Sequence, residues 1–146
     1  MNELPGKYMH QAISNKIIRG YYDVFDGLTY GIPESAYHRA LHIALQDLEL
    51  NFETQVDLPV YFRGQLVGRY RCDLVVEQKI IVEIKTAPRI VDAHRNQLIG
   101  YLKISNLQVG QLLNFGPEPE FERCFRRSDD ETRAKSQEKS EESEGS

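Results

Sequence analysis

Apolar residues recur along this chain at two different periods, and the changes of period divide it into elements. From Met9 to Leu28, the residues Ile13, Ile17, Tyr21, Val24 and Leu28 fall three or four apart, which predicts an amphipathic helix. Thr29-Tyr30-Gly31-Ile32-Pro33 interrupts it. Pro33 suits the first turn of a second helix, where its missing N–H costs nothing. That helix is expected to run to Leu48, with Tyr37, Leu41, Ala44, Leu45 and Leu48 as its buried face. The period then drops to two. Phe52 to Phe62, Leu66 to Val76 and Ile80 to Lys85 read as three extended runs, joined by Arg63-Gly64-Gln65 and Glu77-Gln78-Lys79. Two tight connections between three strands make an antiparallel meander. Pro88 ends it. Ile90 to Ile104 returns to helical spacing, and Val109 to Phe115 is a short apolar run of strand length. Phe121 to Arg126 is a further edge strand. A strand–helix–strand crossover after a meander implies an α/β fold with a mixed sheet flanked by helices.

The charge is unevenly spread. The 146 residues carry a formal net charge of −4. Residues 128–146 hold seven acids and three bases and no large apolar side chain, so they account for that whole excess. A segment of this composition cannot bury enough surface to offset its ordering entropy, and a disordered acidic tail is expected. The body, 1–127, is neutral and long enough for one modest core. Neutrality does not advertise nucleic-acid binding, nor does it exclude a local basic groove. The two cysteines, Cys72 and Cys124, form no CxxC pair, which excludes a zinc-finger module or a disulfide scaffold as the organiser. No apolar run is long enough for a bilayer, and the first residues lack a secretory layout, so a reducing cytoplasm is the expected compartment.

The chemistry concentrates at Val82-Glu83-Ile84-Lys85. Residues two apart in a strand share a face, so Glu83 and Lys85 lie together, opposite Ile80, Val82 and Ile84. The preceding strand supplies Asp73, a carboxylate inside an apolar stretch. Asp73 and Glu83 together suit a hard divalent cation, and Lys85 beside them suits activation of water or charge stabilisation at a phosphate. The same residues also fit a structural salt bridge or a solvated sheet face, because alternation alone puts any Glu-x-Lys on one side. On the following helix His94, Gln97 and Tyr101 share a face, either lining a cleft or leaving Tyr101 in the core and His94 in solvent. Of the basic residues, Arg71 is the candidate phosphate contact. Glu34, His38 and His42 form a helical row without a partner elsewhere in the sequence. Cys72 reads as a small core residue.

The order of these elements resembles the core of the PD-(D/E)XK nuclease superfamily, whose sheet carries an aspartate followed by a Glu-x-Lys. Within it the chain is similar to the GxxExxY family. The naming motif stands as Gly31-Ile32-Pro33-Glu34-Ser35-Ala36-Tyr37, and Phe52-Glu53-Thr54-Gln55-Val56, Gly68 to Val75, His94 to Leu102 and Leu112 to Gly116 continue the pattern. The resemblance spans roughly residues 10 to 127. Cys72 stands where the superfamily's leading proline would precede the aspartate.

The resemblance implies a restriction-endonuclease-like core and an Mg2+- or Mn2+-dependent endonuclease that hydrolyses phosphodiesters, in DNA by preference. It implies Asp73 and Glu83 as metal ligands, with the Ile84 carbonyl and Glu34 completing the set, Lys85 as the catalytic lysine and Gln97 bordering the site. Arg71, His94 and Tyr101 would then meet substrate. Superfamily habit adds a homodimer or a larger complex as the expected assembly, and no membrane. Two rivals stay open: a binding or scaffold module that keeps the fold without the chemistry, and a nucleic-acid-binding protein that never cleaves.

Overall fold

In the computed structural model, which describes residues 9–126, two helices form a hairpin before the sheet begins. They are α1 (Gln11–Leu28) and α2 (Glu34–Asp47). The strands follow as β1 (Phe52–Phe62), β2 (Gln65–Val76) and β3 (Ile80–Lys85), then α3 (Asp92–Ser105), β4 (Val109–Phe115) and β5 (Pro119–Phe125). The sheet order is β1-β2-β3-β4-β5, antiparallel except for the parallel β3–β4 pair that α3 connects. This is the mixed, helix-flanked α/β sheet expected from the change of period. The tail expected over 128–146 lies outside the described residues. No helix among the described residues is long and apolar enough to cross a membrane.

The turns explain the register. Phe62 pairs with Gln65 across Arg63 and Gly64, whose φ angles of 50° and 76° match the twist of a two-residue hairpin. Glu77 and Gln78, with φ of 52° and 58°, turn β2 into β3 in the same sense, and the Lys79 N–H donates to the Val76 carbonyl. β1 is an edge strand with two irregularities. Gln55 has φ 50° and no ladder partner, and the register shifts between Val60 and Tyr61. Pro59 sits between them, tolerated because it stands on an edge.

Two apolar layers enclose the sheet. On one side Ile17, Tyr21 and Val24 of α1 and Tyr37, Leu41 and Leu45 of α2 pack on Leu74, Ile80, Val82, Ile84, Leu113 and Phe115. On the other, Leu98 and Leu102 of α3 pack on Leu58, Cys72, Ile81 and Leu112. β3 and β4 are therefore covered on both faces. The Phe115 ring is stacked on Tyr37, with centroids 4.4 Å apart, and tilted against Tyr21 at 4.9 Å. The Tyr37 hydroxyl donates to the Thr29 carbonyl and accepts from the Ile32 N–H, so it closes the α1–α2 turn. Gly31 in that turn has φ 104°, a conformation L side chains rarely adopt.

Asn114 ties the centre of the sheet to the segment that leaves β3. Its side chain accepts from the Ala87 N–H and donates to the Ala87 carbonyl, both at 2.9 Å. A Cβ on Gly116 would stand 2.6 Å from that same carbonyl, so the two segments meet there with no room to spare. Replacing Asn114 by Ala leaves two backbone groups unpaired in a part-buried place. Asn114→Ala should cost roughly 2 kcal/mol, read as a lower urea midpoint with an unchanged m value.

Candidate active site

β2 and β3 stop pairing where the candidate chemistry begins. Their ladder runs from Val76↔Ile80 to Leu74↔Val82, and the next pair would be Asp73 with Glu83. There the carboxylates replace the ladder. Glu83 Oε1 accepts the Asp73 N–H at 2.8 Å, and Asp73 Oδ2 accepts the Ile84 N–H at 2.8 Å. Each side chain thus satisfies a backbone donor that the parting strands would otherwise leave unmade.

Glu83 is 4% exposed. Burial, and then the charge of Asp73, push its carboxyl up to about 8, against the partial relief given by the Asp73 N–H and Lys85. The Cys72 thiol beside them is pushed up to about 12 by burial, then by Glu83 and Asp73. It is a neutral core group, as the sequence suggests.

Lys85 shares the Glu83 face of β3, and its Nζ donates to Gln97 Oε1 at 2.7 Å. α3 thereby orients the ammonium at the mouth of the site. Tyr101, one turn further on, has its phenol pushed up by burial first, then by Glu83 and Asp73, with a lesser effect of Tyr70. It stands beside the carboxylates. The structure thus brings together Asp73, Glu83, Lys85, Gln97 and Tyr101.

Three other candidates have local partners. His94 Nδ1 accepts the Val91 N–H at 3.1 Å, so this imidazole caps α3 while lying near enough to Lys85 to have its pKa lowered, after burial, by that charge. Arg71 Nε is 3.2 Å from Asp57 Oδ1, out on the β1–β2 hairpin. Glu34 opens α2 with its carboxylate 3.9 Å from His38 Nε2. No cluster of three or more His, Cys, Asp or Glu is assembled among the described residues. His42 comes closer than the sequence suggests. Burial and His38 lower its pKa, Asp73 opposes them, and the ring stacks on Phe52.

Strict alternation on β2 does not survive Asp73. Cys72 packs on the α3 side and Leu74 on the α1–α2 side, although they are two apart. The reset lies opposite Gln55, the left-handed residue of β1. Arg69 and Arg71 therefore do not continue into Asp73 on one flat face. Tyr70, which the sequence reading passed over, is opposite Leu58 and so lies on the α3 side near Tyr101. Only the β1–β2 register could have revealed it.

The donor set fits a small hard cation. Two carboxylates at one fork, one raised by burial and then by the other's charge, supply oxygen ligands without a full cage, which suits an ion that keeps several waters. Asp73 and Glu83 would hold it. Comparison with known proteins agrees with this architecture. No curated protein matches the chain. It resembles the crystal structure of SSO0001 at 22% identity and a TM-score of 0.54, over 86% of this chain and 61% of that one. The chain thus spans about three fifths of that protein, and the likeness concerns the fold alone. A family model described as the PD-(D/E)XK nuclease superfamily matches residues 11–127. With its mixed sheet, its aspartate at the strand fork and its Glu-x-Lys on the central strand, the chain belongs to the PD-(D/E)XK nuclease superfamily.

Proposed function

We propose that this protein is a divalent-metal-dependent nuclease of the GxxExxY type that hydrolyses phosphodiester bonds in DNA. The observation that carries the reading is the fork itself. Two carboxylates meet where β2 leaves β3, with an ammonium on the same face of β3 held by α3. Asp73 and Glu83 bind Mg2+ or Mn2+, with the Ile84 carbonyl as a further ligand. When bound, the ion supplies Lewis acidity toward phosphate oxygen and lowers the pKa of a water. Lys85 orients the attacking water or stabilises charge on the phosphate, and Gln97 holds the ammonium in place. Glu34 is the outer member of the set, at the start of α2 beside His38. His94 and Tyr101 flank the mouth, where substrate passes.

Alanine is the wrong probe at the carboxylates, because Asp73 and Glu83 also accept backbone hydrogens. Asp73→Asn and Glu83→Gln keep an acceptor and remove the charge. Each is expected to abolish saturable Mn2+ binding by calorimetry and to lower DNA cleavage on the order of 10³-fold while still unfolding in one cooperative transition. Lys85→Ala should lose about 10²–10⁴-fold in cleavage but still bind metal, and Gln97→Ala about 10–100-fold. A folded wild type that binds no Mn2+, even with DNA present, overturns the reading in favour of a scaffold.

The pH dependence follows from Glu83. Its carboxyl is raised from 4.5 to about 8, so the metal-free folded state holds a proton that the unfolded chain releases. Stability contributed by this group is therefore complete below about 4.5 and is lost as pH rises through about 8. A cation must displace that proton, so Mn2+ affinity should climb with pH up to about 8 and then level. Melting curves across pH 5 to 9 test both signs: the metal-free slope should flatten in Glu83→Gln, and the Mn2+-induced rise in Tm should grow with pH only in the wild type.

A further inference from the structure

The β1–β2 ribbon runs on well past the rest of the sheet. β2 pairs with β3 only over Leu74–Val76, whereas its ladder with β1 continues to Phe62 and Gln65. Residues 57–71 form an arm whose base is seated on α3 through Leu58. Beyond the base its side chains face solvent. Tyr61, Phe62, Leu66, Val67 and Tyr70 are five of the ten exposed large apolar residues among those described. Such a concentration marks a binding surface, unlike single exposed residues scattered over a fold.

The arm is also basic. Arg63, Arg69 and Arg71 stand against one acid, Asp57, on a body, residues 1–127, that is neutral as a whole. Directly opposite residues share a face. Tyr70 with Leu58, Gly68 with Val60, and Phe62 with Gln65 line the α3 side, which leads to Tyr101 and the carboxylates. A Cβ on Gly68 would stand 2.8 Å from the Tyr70 ring, so that ring lies along the ribbon over the glycine. The Arg63 guanidinium carbon is 4.9 Å from the Phe62 centroid. The opposite face carries Arg69 beside Pro59.

We propose that the β1–β2 arm grips an unpaired stretch of nucleic acid next to the carboxylate fork, stacking bases on Tyr70 and Phe62 of its α3 face while the strand's backbone rounds the free edge of β2 to meet Arg69 on the other face. The inference rests on the nuclease reading above and adds the substrate's strandedness and the element that holds it. Exposed rings beside guanidinium groups match the two faces of a single strand, π-surface and phosphate, whereas a duplex hides its base faces. A second copy of the chain is a poorer occupant, because a symmetric contact between arms would set arginines against arginines.

The test uses the full chain in metal-free buffer, so nothing is cut, with a fluorescein-labelled oligothymidylate of about 15 nucleotides read by anisotropy. Tyr70→Ala and Phe62→Ala should each weaken binding about tenfold or more, with unchanged melting curves. Tyr70→Phe, which keeps the ring, should bind like the wild type. Arg69→Ala should reduce the slope of log affinity against log salt by about 0.7. If the wild type binds and both ring variants bind equally well, the arm proposal fails and the nuclease reading stands. If the wild type neither binds nor, with Mn2+, cleaves any DNA or RNA offered, both fail together. If the wild type sediments as a dimer that the ring variants dissociate, the arm is a self-association surface and the proposal is overturned.

Discussion

Two strands that must part cannot leave their backbone donors unmade, and in this protein two carboxylates make them. Asp73 and Glu83 each accept an N–H from the opposing strand just where the β2–β3 ladder ends. The fork is thus held open by the groups proposed to hold the metal. The arrangement carries an internal tension. Hydrogen bonding draws the two side chains into one space, where burial first, and then the charge of Asp73, raise the Glu83 carboxyl. The backbone bonds at the fork are made by the protein's own side chains and need no other group to complete them.

Support for the fork comes from the opposite layer. The tyrosine of the Gly31-x-x-Glu34-x-x-Tyr37 motif is buried against Phe115, and its hydroxyl closes the turn that Gly31 makes. Phe115 ends β4, the strand whose Asn114 clasps Ala87 two residues after Lys85. Gly31 and Tyr37 therefore act as architecture. A path of packed and hydrogen-bonded groups runs from the helical hairpin to the segment that fixes where the Lys85 strand ends.

The elements bounded by clear turn residues were legible in the sequence. β1, β3 and β4 begin and end where alternation and turn residues place them, and the Glu83–Lys85 face follows from period two. Departures occur where a local bond outweighs the period. α3 starts at Asp92 because Val91 stays extended and His94 bonds back to it. β5 starts at Pro119 because that residue already pairs with Phe115. Arg71 was a fair candidate by charge, yet Asp57 stands directly across the ribbon, a fact hidden until the register is known. The reset of faces at Asp73 was likewise invisible, since nothing in the identity of Gln55 announces a left-handed backbone.

The irregular outer edge of β1 has a consequence for how this protein survives at high concentration. A long exposed strand beside a sticky, apolar tip is a template on which another chain can add a strand. Here Pro59 lacks the donor such an addition needs, and Gln55 turns its backbone out of line. A proline is cheap on such an edge, which has no further strand to pair with. Together the two residues let the hairpin display aromatic rings in water while denying neighbours the regular row of amides from which aggregates grow.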